Sequence, residues 1–146
     1  MNKSKGDKVK ELIEQTVVEY YLKSYDFNGI QIWNLLNTIG KEWAEIKQLI
    51  QDLIRSESIR IIDEKTDSNP DIIRIGFKPL ESQLEKANAD EPEYMCLYPT
   101  KSILKKMVNP DAYKSEPYKL RLALGEPQLS YVSFDLSVLE FYRNDL

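Results

Sequence analysis

The stretch EWAEIKQLIQDLIRSESIRIIDEKTDSNPDIIRIGF, residues 42–77, places a helix directly before a two-stranded ribbon. Apolar residues recur every three or four positions up to about Ser56, which is the spacing of an amphipathic helix. Isoleucines then alternate with other residues over 59–62 and again over 73–77, as they do in half-buried strands. Pro70 cannot donate to a strand ladder, so it belongs to the connection between the strands. The stretch therefore predicts a long helix followed by a hairpin.

Two further helices are predicted upstream of this stretch. The same apolar spacing indicates a first helix over about residues 7–24. In FNGIQIWNLL, which begins at Phe27, Asn28 stands at the position of an N-cap and Gln31 follows three residues later. This is the spacing of a capping box. We therefore expect a second helix that begins directly after Asn28.

The remainder of the chain has a different pattern. Residues 79–93 hold two prolines and few apolar side chains, so we interpret them as a linker. Residues 94–146 predict a small α+β extension with a short buried strand, a helix ending near Val108 and a short apolar terminal helix. A terminal helix this apolar needs a surface to pack on. We therefore expect either a homo-oligomer contact or a chain that is the N-terminal part of a longer protein, and the contacting residues would be Val138, Leu139, Phe141 and Tyr142.

Composition and charge exclude several classes of function. No apolar run approaches the roughly 20 residues that span a bilayer, so no membrane segment is expected. The single cysteine, Cys96, cannot form an intramolecular disulfide, which favours a reducing, cytoplasmic location. The net charge is −4, with 12 basic and 13 acidic residues in 1–80, and 8 and 11 in 81–146. Neither half has the positive excess that binding to nucleic acid normally uses.

The absence of histidine limits the chemistry further. Serine and cysteine nucleophiles activated by histidine are excluded, as are zinc sites with paired histidines. The five glycines are scattered and form no phosphate-binding loop. We therefore expect a protein that binds and does not catalyse, without a cofactor or a metal.

The order helix, helix, helix, strand, strand, carried by residues 27–77 after the first helix, resembles the winged-helix variant of the helix-turn-helix. The resemblance implies an α+β fold with a three-helix domain and a two-stranded wing over 1–78. The linker of 79–93 and the extension of 94–146 would follow. In that family the third helix is the usual reader of the DNA groove, and the tip of the hairpin is the wing. The family contains DNA-binding proteins and also many protein-binding modules.

The reading surface that this resemblance implies has no surplus of positive charge. The outer face of the third helix carries three basic and three acidic side chains among Lys41, Glu42, Glu45, Lys47, Gln48, Gln51, Asp52 and Arg55. The wing tip sets four carboxylates, Asp63, Glu64, Asp67 and Asp71, against Lys65. Because phosphate contacts need surplus cations, we expect a regulatory or recruiting contact with protein.

Two alternatives stay open. DNA binding through the third helix would use Lys41, Lys47, Gln48, Gln51 and Arg55 on the helix, with Arg60 and Arg74 on the ribbon touching phosphates. The chain would otherwise be an accessory N-terminal domain of a larger enzyme, which the sequence downstream of Leu146 would decide.

Overall fold

The computed structural model describes residues 4–24, 27–62, 80–92 and 94–125. Within these ranges the chain forms six α-helices, one 3₁₀ helix and three strands. In chain order the elements are α1 (Lys5–Lys23), β1 (Ile30–Gln31), α2 (Ile32–Ile39), α3 (Trp43–Arg55), β2 (Ile59–Ile62), α4 (Leu80–Lys86), β3 (Cys96–Pro99), α5 (Lys101–Met107), the 3₁₀ helix (Pro110–Tyr113) and α6 (Pro117–Ala123). The prediction of a mixed α+β fold is confirmed, and the described part is mostly helical. None of the described helices is both long enough and apolar enough to cross a membrane.

The three strands form one antiparallel sheet in the order β1-β3-β2. The last of the described strands, β3, is therefore the central one, and Leu97 lies opposite both Ile30 and Ile61. The predicted strand at 59–62 is confirmed, but its partner among the described residues is β3. The second predicted strand of the ribbon, 73–77, and the connecting tip lie outside the described residues.

The central strand separates two hydrophobic clusters. Leu97 belongs to a first cluster with residues of α1, α2, α3 and β2, such as Ile46 and Ile61. Its neighbours Cys96 and Tyr98 belong to a second cluster, formed with the last turns of α1 and with α5 and α6. Because successive side chains of a strand point to opposite faces, a strand covered on both faces is buried throughout. All four residues of β3 are buried, as the sequence predicted for this segment.

The second helix begins later than the capping pattern predicted. Its first residue is Ile32, and Gln31 at the N-cap makes no side-chain cap bond. Ile30 and Gln31 instead pair with β3, and the Ile32 N–H continues this pairing by donating to the Met95 carbonyl at 3.0 Å. The prediction of a capping box at Asn28 was therefore wrong, because pairing with β3 holds the following residues extended.

The segment 79–93, interpreted as a linker, contains a packed helix. Helix α4 lies against α3, and the side chain of Gln83 is completely buried. Its Oε1 accepts a hydrogen bond from the Ile61 N–H at 3.1 Å, so a side-chain amide satisfies a backbone donor of β2. Ala87 completes the first hydrophobic cluster. Described residues on both sides of this segment therefore share one sheet and one core, which a linker would not provide.

Candidate binding surface

The third helix carries four of the seven candidate nucleic-acid-binding residues, Lys47, Gln48, Gln51 and Arg55. Glu42 and Glu45 form a capping box at its N-terminus, since each side chain accepts from the backbone N–H of the other residue. Its inward stripe is buried in the first cluster, as predicted, and includes Trp43, Ile46, Ile50, Leu53 and Ile54. The candidate residues occupy the other sides of this well-anchored helix.

Gln51 does not lie on the exposed face. Only 7% of the residue is accessible to solvent. Its Nε2 donates to the Ala87 carbonyl at 3.2 Å and to Asn88 Oδ1 at 3.5 Å. The expectation that Gln51 faces outward was wrong, because the segment after α4 covers this side of the helix.

The same segment contacts a whole row of α3. Residues 87–90 are called the covering segment below. The Trp43 indole N–H donates to the Ala89 carbonyl at 2.8 Å, and Lys47 Nζ lies 4.0 Å from Asp90 Oδ1. Together with Gln51, these residues are spaced by four, so they lie one above another on one side of the helix. The covering segment therefore occupies part of the surface with which a helix would enter a DNA groove.

The cations that remain on the outer face have acidic partners. Lys41 Nζ lies 3.7 Å from Glu45 Oε2, one turn further along the chain. Arg55 lies 3.5 Å from Asp52 Oδ1, and Lys10 of α1 lies 3.3 Å from Asp52 Oδ2. These pairs leave the face with no surplus positive charge.

Asp52 is held in its anionic form at the centre of this network. The hydrogen bond from Gln48 Nε2, 3.1 Å long, is the largest cause that lowers the pKa of the Asp52 carboxyl. Partial burial acts in the opposite direction, while Lys10 and Arg55 lower the pKa further. Gln48, a candidate base reader, is thus engaged with a carboxylate that would repel phosphate.

Arg60 is buried and does not offer its charge to a partner. The residue is 9% exposed, and its guanidinium donates to the carbonyls of Ile54 and Ile59 at 3.4 and 3.2 Å. Burial lowers the pKa of Arg60, and Glu57 at 3.9 Å raises it. Arg60 lies opposite Tyr98 in the sheet, on the side that the second cluster covers. Burial of Arg60 on this side of the sheet weighs against the expected phosphate contact, which stays a prediction.

The other candidate residues stay predictions. Arg74, Val138, Leu139, Phe141 and Tyr142 lie outside the residues that the structure describes. Within the described ranges, no group of three histidine, cysteine or acidic residues is placed to hold a metal ion.

Comparison with known proteins adds no assignment. No family model, curated protein or solved structure matches this chain. The function must therefore be inferred from the surfaces themselves.

Proposed function

We propose that this chain is a non-catalytic binding module of the winged-helix type, which contacts protein in a regulatory or recruiting role. The order of α1, α2, α3 and β2 supports the winged-helix assignment, as does the antiparallel strand beside β2. One difference from the expected hairpin is that this neighbouring strand is β3, which begins at Cys96. A packed helix, α4, lies between the two strands in the chain.

The covered and charge-balanced face of α3 is the observation that carries this proposal. A helix that reads DNA presents free donors to base edges and surplus cations to phosphates. Here Gln51 and the indole of Trp43 are bonded to the covering segment, and Arg55 is paired with Asp52. Near the end of α3, a groove of about 330 Å³ is lined by Asp7, Lys10, Glu11, Glu14, Leu53, Ser56 and Ser58, which adds three carboxylates and a single lysine. The excess of carboxylates around this end of α3 is unfavourable for binding a polyanion.

DNA binding is the alternative, and the exposure of Arg55 favours it. The side chain of Arg55 is 51% exposed, and Gln48 beside it is also at the surface. Both lie in the last two turns of α3, and neither has a hydrogen bond or an ion pair with the covering segment. They would have to exchange Asp52 for a phosphate or a base.

Titration of a fluorescent DNA duplex separates the two functions. Fluorescence anisotropy would be recorded at about 50 mM salt, where phosphate contacts are strong. Lys47→Glu/Arg55→Glu reverses the charge of two candidate DNA-contacting residues of α3, and Lys5→Glu/Lys8→Glu makes the same charge change on the exposed start of α1. We expect no saturable binding by the wild type. Tight binding that only the α3 variant loses would establish the alternative and overturn the proposal.

A further inference from the structure

The chain contains a strongly basic segment that the charge counts over its two halves do not reveal. Residues 101–121 contain six Lys and Arg against two Asp and Glu, which is a charge of +4. The rest of the chain therefore holds 14 basic against 22 acidic residues, which is −8 and gives the net −4 of the whole. The positive charge of residues 101–121 is not visible in the net charge of residues 81–146, because acidic residues on both sides of the segment outweigh it.

Helices α5 and α6, with the turn between them, carry these basic residues. Both helices bury their inward sides in the second cluster, through Ile103 and Leu104 of α5 and Leu122 and Ala123 of α6. The end of α6 returns to the start of α5, since a Cβ added at Gly125 would lie 3.3 Å from Lys101 Cγ. The exposed or half-buried basic side chains on these two helices and in the turn between them are called the basic face below; they are Lys101, Lys105, Lys106, Lys114, Lys119 and Arg121.

Much of the charge on the basic face is uncompensated. Lys114 pairs with Asp111 at 3.7 Å, and Lys119 pairs with Glu116 at 3.1 Å. Lys101, Lys105 and Lys106 have no acidic side chain within 4.0 Å among the described residues. This is the opposite of α3, whose cations are paired within the protein.

Two large side chains with apolar surface are exposed in the same segment of the chain. Tyr118 is 51% exposed and directly precedes Lys119 in the chain. Met107 is 39% exposed and directly follows Lys106. Tyrosine and methionine are enriched in protein–protein interfaces, where they are buried while charges surround them. A partner that matches this surface needs both carboxylates and apolar side chains.

We propose that the basic face binds an acidic segment of a partner protein in which carboxylates alternate with apolar side chains. This inference rests on the proposed function, because it names the chemistry of the protein that the module contacts. A short acidic segment fits better than nucleic acid for an electrostatic reason. A long polyanion would extend beyond the basic face, and the rest of the chain carries a net charge of −8, whereas screening over about 8 Å at physiological salt limits the attraction on a short segment to the basic face itself.

A labelled peptide tests this proposal directly. The probe is a short fluorescein-labelled peptide in which glutamates flank leucine and phenylalanine, and the control peptide has glutamine in place of each glutamate. We expect the wild-type protein to bind the acidic peptide and Lys105→Glu/Lys106→Glu to weaken binding about tenfold or more, since attraction becomes repulsion. Lys5→Glu/Lys8→Glu changes the net charge equally and should leave binding unchanged within about twofold. Tyr118→Ala should weaken it about fivefold by removing the apolar anchor.

The possible outcomes are distinct. Equal binding of the glutamine peptide, or equal loss in both charge-reversal variants, would overturn the proposal because the contact would not be specific to acidic groups at this face. Binding of a DNA duplex or of anionic phosphatidylserine vesicles through Lys105 and Lys106, without binding of the peptide, would assign the face to nucleic acid or to a membrane. Failure of every probe would also overturn it. The proposed function fails by a separate result, duplex binding that is lost in Lys47→Glu/Arg55→Glu.

Discussion

Replacing Gly29 by alanine tests the central position of β3. Gly29 directly precedes β1, and a Cβ added there would lie 2.5 Å from two ring carbons of Tyr98 and 2.7 Å from the Leu97 carbonyl oxygen. Carbon atoms pack at about 3.5–4.0 Å, so something must move by roughly 1 Å. The Leu97 oxygen is backbone in the central strand, and Tyr98 is buried in the second cluster. The new methyl group therefore cannot be accommodated by turning a flexible side chain.

The expected cost follows from these contacts. Overpacking a tight site typically costs about 1–3 kcal/mol. Alanine also reduces the conformational entropy of the unfolded chain, which stabilises the folded state by only about 0.4–1 kcal/mol. From midrange values of these two effects we expect Gly29→Ala to lower the free energy of unfolding by about 1–2 kcal/mol, measured by urea titration with far-ultraviolet circular dichroism. With a denaturant slope of about 2 kcal/mol per molar, the midpoint falls by about 0.5–1 M urea.

Gly6→Ala is the matched control for this experiment. Gly6 lies in α1, and its added Cβ would be 3.8 Å from the nearest atoms, which is an ordinary contact. Alanine favours helices over glycine, so the same substitution should raise the free energy of unfolding by up to about 1 kcal/mol. A Gly29→Ala protein that unfolds at the wild-type midpoint would refute the placement of β3 against the residues before β1.

Three further substitutions test contacts between distant parts of the chain. Tyr21→Phe removes a buried 2.6 Å hydrogen bond to the Leu122 carbonyl and should cost about 1–3 kcal/mol in urea unfolding; no loss would mean that α6 does not pack on α1. Gln51→Ala removes the bonds to the covering segment and should cost about 1 kcal/mol, with faster proteolysis of that segment; unchanged proteolysis would contradict the contact. Gln48→Ala should raise the Asp52 pKa in a carboxyl NMR titration. Because the folded pKa lies below the ordinary 3.8, the stabilisation by this carboxylate is fully present above that pH and is lost as the pH falls through the folded value.

Periodicity predicted the local elements well and their partners poorly. The stripe of α3 and the strand at 59–62 follow from apolar spacing, because each buries one regular face. The pairing of β2 with Cys96–Pro99 involves residues more than 30 positions apart, and no local pattern encodes it. The predicted start of α2, directly after Asn28, was wrong for the same reason, because Gln31 pairs with Cys96 of the distant strand β3 and does not take part in a capping box.

The candidate site shows the same division between local and distant information. The charge balance of α3 was visible in its sequence, because ion pairs such as Lys41–Glu45 join residues one turn apart. The burial of Gln51 was not, because it depends on Ala87 of a segment that composition alone suggested was a linker. The excess of lysine after Thr100 was present in the sequence, and a count over shorter windows would have found it.

We propose that the outer face of α3, which residues 87–90 cover in part and whose charges are balanced, does not read DNA. A nitrogen-resolved NMR spectrum, recorded before and after addition of a DNA duplex at about 50 mM salt, tests it most directly. We predict a protected Trp43 indole proton, distinct side-chain amide signals for Gln51, and no movement of any α3 signal with duplex. Rapid exchange of the indole proton, together with duplex-dependent shifts at Lys47, Gln48 and Arg55, would contradict the claim.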